Sequence, residues 1–284
     1  MAIIINGNEV AQELRNEVAQ KAKLLGRKPG LAVVLVGNDP ASRVYVNSKE
    51  KACLDVGFYS VKIVLPENTP MSLLQQNIEQ LNLNPDVDAI LVQLPLPAHL
   101  DESQVINLID PKKDVDCLHP ANLGKLIALK SNYDLSRLLA PCTPKGIIRL
   151  IKSTGEQIAG KRAVVIGRSQ LVGKPVALLL LAEDATVTIC HSQTQDLIQE
   201  CLYAQILISA VGRPHLVTDT LVSPGAIVVD VGINRTQEGL TGDVDYKSVE
   251  PVAGYLTPVP GGVGPMTIAC LLENTLILSQ NAQA

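Results

Sequence analysis

Tyr45 and Lys49 stand four residues apart in SRVYVNSKEKAC (42–53). On a helix that spacing sends both side chains out of one face. A phenol can hold an ammonium in place, and partial burial lowers a lysine pKa toward the range where it both takes and gives a proton. The same spacing also describes a surface lysine snorkelling beside a half-buried tyrosine. Gln93 closes the apolar run DAILVQL (88–94), at the edge where a parallel strand presents side chains to ligands. It fits a polar sheet edge equally well. Asp114 and Asp116 flank one residue in KDVD (113–116), so in an extended turn they share a side. A solvated charged turn gives the same pattern.

A second group lies in KRAVVIGRSQLVGKP (161–175). Ala163 to Ile166 read as a buried parallel strand. Gly167-Arg168-Ser169 breaks it, and Gly173 and Pro175 open an apolar helix over 176–182, with proline suited to a first turn. Strand, glycine turn and helix N-terminus form the geometry that sets backbone N–H groups against a phosphate. The spacing is not G-x-G-x-x-G, so an ordinary strand–helix crossover with a surface arginine stays open. The next strand, Thr186 to Cys190, ends in His191-Ser192-Gln193-Thr194. Dinucleotide folds that take NAD keep an acid here, roughly 20 residues past the first glycine, for the ribose hydroxyls. No acid is present. Arg168 and Ser192 suit a 2′-phosphate that a carboxylate would repel, which points to NADP.

These residues need a frame. A helix over 9–25, a strand over 31–37, a helix from an N-cap at Ser42 to Gly57, a strand over 59–65, a helix capped at Thr69-Pro70, a strand over 88–94 and a helix over 101–109 alternate in a β-α rhythm. That rhythm predicts a parallel sheet with helices on both faces. Two prolines in Pro141-Cys142-Thr143-Pro144 predict a domain boundary. Beyond it come a helix over 145–153, the glycine-turn strand, and strands over 206–211 and 226–231. The segment TPVPGGVGPMT (257–267) reads as a loop before a closing helix over 267–278. The 284 residues, 46% hydrophobic and 18% charged, suit two soluble domains. A net charge of −4 without a basic stripe argues against nucleic acid. No segment reads as a signal peptide or membrane span. Six cysteines without C-x-x-C pairing predict reduced thiols in a cytoplasmic protein and no metal.

Taken together, SRVYVNSKEKAC, QLPLP (93–97), KDVD, PCTPKG (141–146), VIGRSQLVGKP (165–175), HSQT (191–194), DVGIN (230–234) and TPVPGGVGPMT make the chain resemble the bifunctional methylenetetrahydrofolate dehydrogenase/cyclohydrolase family from end to end. The resemblance implies two α/β domains, each with a mostly parallel sheet, the second a Rossmann-like NADP-binding domain. Residues 1–140 would form the catalytic folate-binding domain, completed by 266–284 with a returning C-terminal helix. Residues 141–265 would bind NADP, with a cleft between the two and a homodimer overall. It implies Lys49 as the acid/base, assisted by Tyr45 and Gln93, with Asp116 on the pterin ring. Gly167, Arg168, Ser169, Ser192 and Ile233 would contact NADP. Leu94, Pro95, Val263, Gly264 and Pro265 would line the folate site, and tetrahydrofolate derivatives would be the substrates. The chain departs from the family directly after Asp116, where Cys117 replaces the usual glycine. If that position takes a positive φ, cysteine strains it. A dehydrogenase without the hydrolytic step, and a non-catalytic NADP-binding relative, are the alternatives.

Overall fold

The computed structural model describes every residue except Asn132, Glu238, Gln283 and Ala284. The chain opens with β1 (Ile3–Ile4), α1 (Gly7–Ala22), β2 (Gly30–Val36), α2 (Pro40–Asp55), β3 (Tyr59–Leu65), α3 (Met71–Leu83) and β4 (Ala89–Val92). Then come α4 (Glu102–Leu108), α5 (Pro120–Ile127), α6 (Cys142–Ser153), β5 (Arg162–Ile166), α7 (Gly173–Ala182), β6 (Thr186–Cys190), α8 (Leu197–Leu202) and β7 (Ile206–Ser209). The last stretch holds β8 (Ile227–Asp230), the hairpin β9 (Asn234–Thr236) and β10 (Gly239–Thr241), α9 (Tyr246–Val249), β11 (Tyr255–Leu256) and α10 (Val263–Asn281). They fall into two compact units. One takes Glu13–Lys125, Ser136–Ala140 and Leu271–Ala284; the other takes Met1–Gln12, Leu126–Leu135 and Pro141–Cys270.

The first unit is built on β2, all seven residues of which are buried. It lies between β3 and β4, parallel to both. Leu74, Ile78 and Leu81 recur at helical spacing on α3 and pack in one core with Ala32, Val34, Ile90 and Val92. The helix α2 starts at Pro40, earlier than the Ser42 cap expected from the sequence. Asp39 is the cap, accepting from the Ser42 N–H at 2.7 Å, and proline's fixed φ suits the position that follows. Thr69 does not cap α3 either; its hydroxyl donates back to Pro66 O at 2.6 Å.

The second unit carries a six-stranded sheet in the order β1-β11-β8-β7-β5-β6, parallel throughout. Its apolar core includes Val164, Ile166, Leu207, Val228 and Leu256. Three boundaries differ from the sequence expectation. Ile3 and Ile4 pair with Tyr255 and Leu256, so the first residues of the expected folate domain belong to this unit. Pro141 begins the main segment of this unit, and Pro144 sits in the first turn of α6, which starts at Cys142 and not at 145, where proline's missing N–H costs nothing. The helix α10 begins inside the expected loop, at Val263. Residues 266–270 stay with this unit because the start of α10 packs on α6. A Cβ at Gly146 would lie 3.0 Å from Met266 Cβ, and the hydroxyls of Thr143 and Thr267 are 3.0 Å apart. The division between units falls between Cys270 and Leu271; Gln283 and Ala284, the end of the expected returning segment, lie outside the described residues. Among the described residues no helix is long and apolar enough to cross a membrane.

Candidate functional site

In the first unit the candidate chemistry gathers at the carboxyl end of β4. Lys49 is only 8% exposed, which excludes the snorkelling alternative. The helix α2 aims it at Gln93, whose Oε1 accepts from Lys49 Nζ at 2.9 Å. The Gln93 Nε2 donates to Leu94 O at 2.6 Å, which fixes the amide so that its oxygen faces the lysine. Gln93 itself stays in the strand ladder, with its N–H on Val34 O at 2.8 Å. Tyr45 is half-buried one turn earlier on α2. Leu94 is half-buried and Pro95 exposed, joined by a cis peptide bond.

The paired aspartates divide their work. Asp114 is buried and accepts from the His119 N–H at 2.9 Å, the Leu118 N–H at 3.3 Å and the Asn122 amide at 2.9 Å. Burial raises its pKa above the usual carboxylate value, and these donors pull the other way. Asp114 therefore shapes the turn. That turn runs parallel to β4, with Ile90 N donating to Lys113 O at 2.7 Å, and so carries half-buried Asp116 toward the Gln93 end. Cys117 follows at φ 55°, buried, with its thiol 3.8 Å from Asp114 O. The departure from glycine thus falls on a left-handed position.

In the second unit, β5 and β6 pair in register with Ile166 opposite Cys190. Arg168 and Ser192 each lie two residues beyond that pair, at adjoining carboxyl ends, and both are exposed. Gly167 takes φ 122°, and a Cβ there would fall 2.3 Å from Ala210 O. A Cβ at Gly173 would fall 2.3 Å from Gly167 O. Only glycine fits either place, so the turn packs directly against the backbone beside it. Ser169 has a part the sequence did not predict. Its Oγ accepts from the N–H groups of Val172 and Gly173 at 3.1 and 3.3 Å, so it caps α7 itself. Ile233 is exposed just beyond β8. Val263, Gly264 and Pro265 form the first turn of α10.

Sequence reasoning missed Asp230 and Asp243, two buried carboxylates beside these turns. For Asp243 a signal was there: GDVD (242–245) repeats the Asp-x-Asp spacing of 114–116. Among the described residues no group of three or more His, Cys, Asp or Glu side chains could hold a metal ion.

The comparisons with known proteins cover both halves. Residues 5–116 match the family described as tetrahydrofolate dehydrogenase/cyclohydrolase, catalytic domain. Residues 141–283 match its NAD(P)-binding domain. A bifunctional protein FolD from Acidiphilium cryptum is 57% identical over 277 residues, covering 97% of each chain. The crystal structure of the bifunctional enzyme from Campylobacter jejuni superposes with a TM-score of 0.93 at 42% identity over 99% of both chains. That of the Trypanosoma brucei enzyme, complexed with NADP cofactor and inhibitor, gives 0.93 at 38% identity, covering 99% of this chain and 98% of that one.

Proposed function

The chain belongs to the tetrahydrofolate dehydrogenase/cyclohydrolase family, and from that premise we propose that it oxidises 5,10-methylenetetrahydrofolate with NADP and hydrolyses the methenyl product to 10-formyltetrahydrofolate. The observation that carries the reading is the buried Lys49 held on Gln93 Oε1 at 2.9 Å. When bound, NADP supplies the hydride acceptor. The two folate nitrogens beside the one-carbon unit stabilise the cation that oxidation leaves, so no protein nucleophile is required. In hydrolysis, water adds to the methenyl carbon, the bond from that carbon to N5 breaks, and N5 takes a proton. Lys49 takes one proton from the attacking water and returns it to N5, and the water's second proton leaves to solvent as the formyl C=O forms. Gln93 fixes the lysine through its amide oxygen, and Tyr45 orients it from the preceding turn. Asp116 accepts hydrogen bonds from the pterin ring, while Leu94 and Pro95 line the folate site.

NADP fits the second unit because the Gly167–Gly173 turn excludes side chains from the sheet's edge. Arg168 and Ser192 offer a guanidinium and a hydroxyl to a 2′-phosphate. Gly167, Ser169 and Ile233 form the rest of the contact. The molecule is a homodimer of a cytoplasmic protein in this reading. Support for the dimer comes from β6, an edge strand with Ile189 exposed on it and Leu181, Ile198, Leu202 and Tyr203 exposed on the segments flanking it. The cytoplasmic location is supported by six buried cysteines, none of which is in a disulfide. Two assays on one preparation test the function: NADP reduction with methylenetetrahydrofolate, and loss of methenyl absorbance. Both activities are expected. The first alone means a monofunctional dehydrogenase, and neither means a non-catalytic relative.

A further inference from the structure

Asp243 follows β10 and is fully buried, yet its carboxylate meets five donors. Oδ2 accepts from Val211 N at 2.8 Å, Gly212 N at 3.2 Å and Ser209 Oγ at 3.3 Å. Oδ1 accepts from Arg213 N at 2.8 Å and Asn234 Nδ2 at 3.0 Å. Three successive N–H groups, with Gly212 at φ 65°, make a concave nest of the kind that binds anions. Here the chain's own carboxylate fills it. Asp230 then holds Asp243 in place, accepting from the N–H groups of Gly232, Asp243 and Val244 at 3.0, 2.9 and 2.9 Å. Two glycines make room for the pair. A Cβ at Gly232 would fall 2.1 Å from Asp243 Oδ1, and one at Gly242 would fall 1.8 Å from Asp230 Oδ2.

The loops so tied occupy a particular place. The strand β7 lies between β5 and β8, with Ser209 opposite both Ile166 and Asp230. Residues 210–213 therefore leave the sheet beside the Gly167 turn, and 231–234 leave beside them. The strand order also reverses between β5 and β7, since β6 flanks β5 on the other side. A dinucleotide crosses an open α/β sheet at such a reversal. With the 2′-phosphate end at Arg168 and Ser192, the nicotinamide half reaches the loops after β7 and β8.

We propose that Asp243 is a positioning residue for the nicotinamide half of the dinucleotide, clamping the 211–213 loop and the Ile233–Asn234 segment in one arrangement. The inference rests on the assignment of Arg168 and Ser192 to the 2′-phosphate. Burying a carboxylate costs several kcal/mol unless donors meet it, and all five donors come from the two loops or the strand end beside them. A carboxylate serving general stability would have no reason to select these loops.

The test compares two probes: NADP, and adenosine 2′,5′-bisphosphate, which contains only the 2′-phosphate end. In Asp243→Asn, an amide nitrogen replaces one acceptor and faces N–H donors. NADP affinity is expected to fall about tenfold, the effect of one lost hydrogen bond to a charged group, while the bisphosphate binds as in the parent. Asn234→Ala removes one donor from the clamp, should show the same split more weakly, and serves if Asp243→Asn does not fold. Equal weakening of both probes, or of neither, overturns the proposal. The underlying site assignment fails differently: the parent would not bind the bisphosphate, or Arg168→Ala would leave its affinity unchanged.

Discussion

Lys49 shows how placement turns an ordinary side chain into a chemical one. Its spacing from Tyr45 was readable, but a surface lysine has the same spacing. Burial and the 2.9 Å contact with Gln93 separate the two, and no single-residue property of the sequence contains either. Lys49→Met is expected to lower methenyl hydrolysis by at least about 10²-fold, the lower bound for a positioned acid–base group, and to leave NADP binding unchanged. Hydrolysis at the parent rate would remove Lys49 from the mechanism. Cys117 sits at the opposite extreme, a residue tolerated against its own preference. A left-handed φ costs a non-glycine residue about 1–2 kcal/mol, and the thiol lies at long range, 3.8 and 4.0 Å, from the backbone oxygens of Asp114 and Val115. Glycine would relieve the strain and lose backbone entropy of about 0.5–1 kcal/mol. Cys117→Gly should therefore leave the thermal midpoint and both activities close to the parent, measured side by side. A large loss of either activity would mean that the thiol does chemistry.

Elements were legible where their period was long. The strand β3 and the strand β6 fall where alternation and β-branching place them, at Tyr59–Leu65 and Thr186–Cys190. The two-residue strands β1 and β11 have no period to read; only their pairing defines them. The start of α10 was hidden by Gly261, Gly262, Gly264 and Pro265, which look like a loop until Pro265 is seen in the first helical turn. The candidate site divides along the same line. Its turns were readable from glycine and proline, and the Asp-x-Asp spacing at 243–245 was visible too, but not the role of Asp243, because its backbone donors lie 30 to 32 residues earlier in the chain and no local pattern connects them. Gly173 gives a test at this scale. Its added Cβ would meet backbone atoms at 2.3, 2.6 and 2.8 Å, which cannot move as a side-chain tip can. Gly173→Ala should lower stability by about 1–3 kcal/mol, as overpacking does, and weaken NADP binding. Gly124→Ala in α5 has nothing within 4 Å and should raise stability by up to about 1 kcal/mol through helix propensity. Equal effects of the two substitutions in urea melts would show that the turn tolerates a side chain.

For the whole molecule, stability depends on which protons the folded chain keeps. Burial is the main cause that pushes the Asp230 carboxyl from 3.8 up to about 7, the Asp243 carboxylate adds to it, and the N–H groups of Val244, Asp243 and Gly232 oppose it. The folded value therefore lies above the unfolded one. Between the two, the folded chain holds a proton that the unfolded chain has released, so the folded state binds more protons and stability falls as pH rises. The contribution of Asp230 is complete below its unfolded value and lost as pH climbs through about 7. Asp114 is raised too, so the slope of the parent alone would not isolate Asp230. Asp230→Asn does, because the amide does not titrate while Asp114 is unchanged. The variant should start lower, since its amide nitrogen must face one of the N–H groups that Asp230 now accepts from. Its thermal midpoint should nonetheless fall less than the parent's between about pH 5 and about pH 8. Parallel declines in the two proteins would mean that Asp230 is already ionised across that range and that its three N–H donors outweigh its burial.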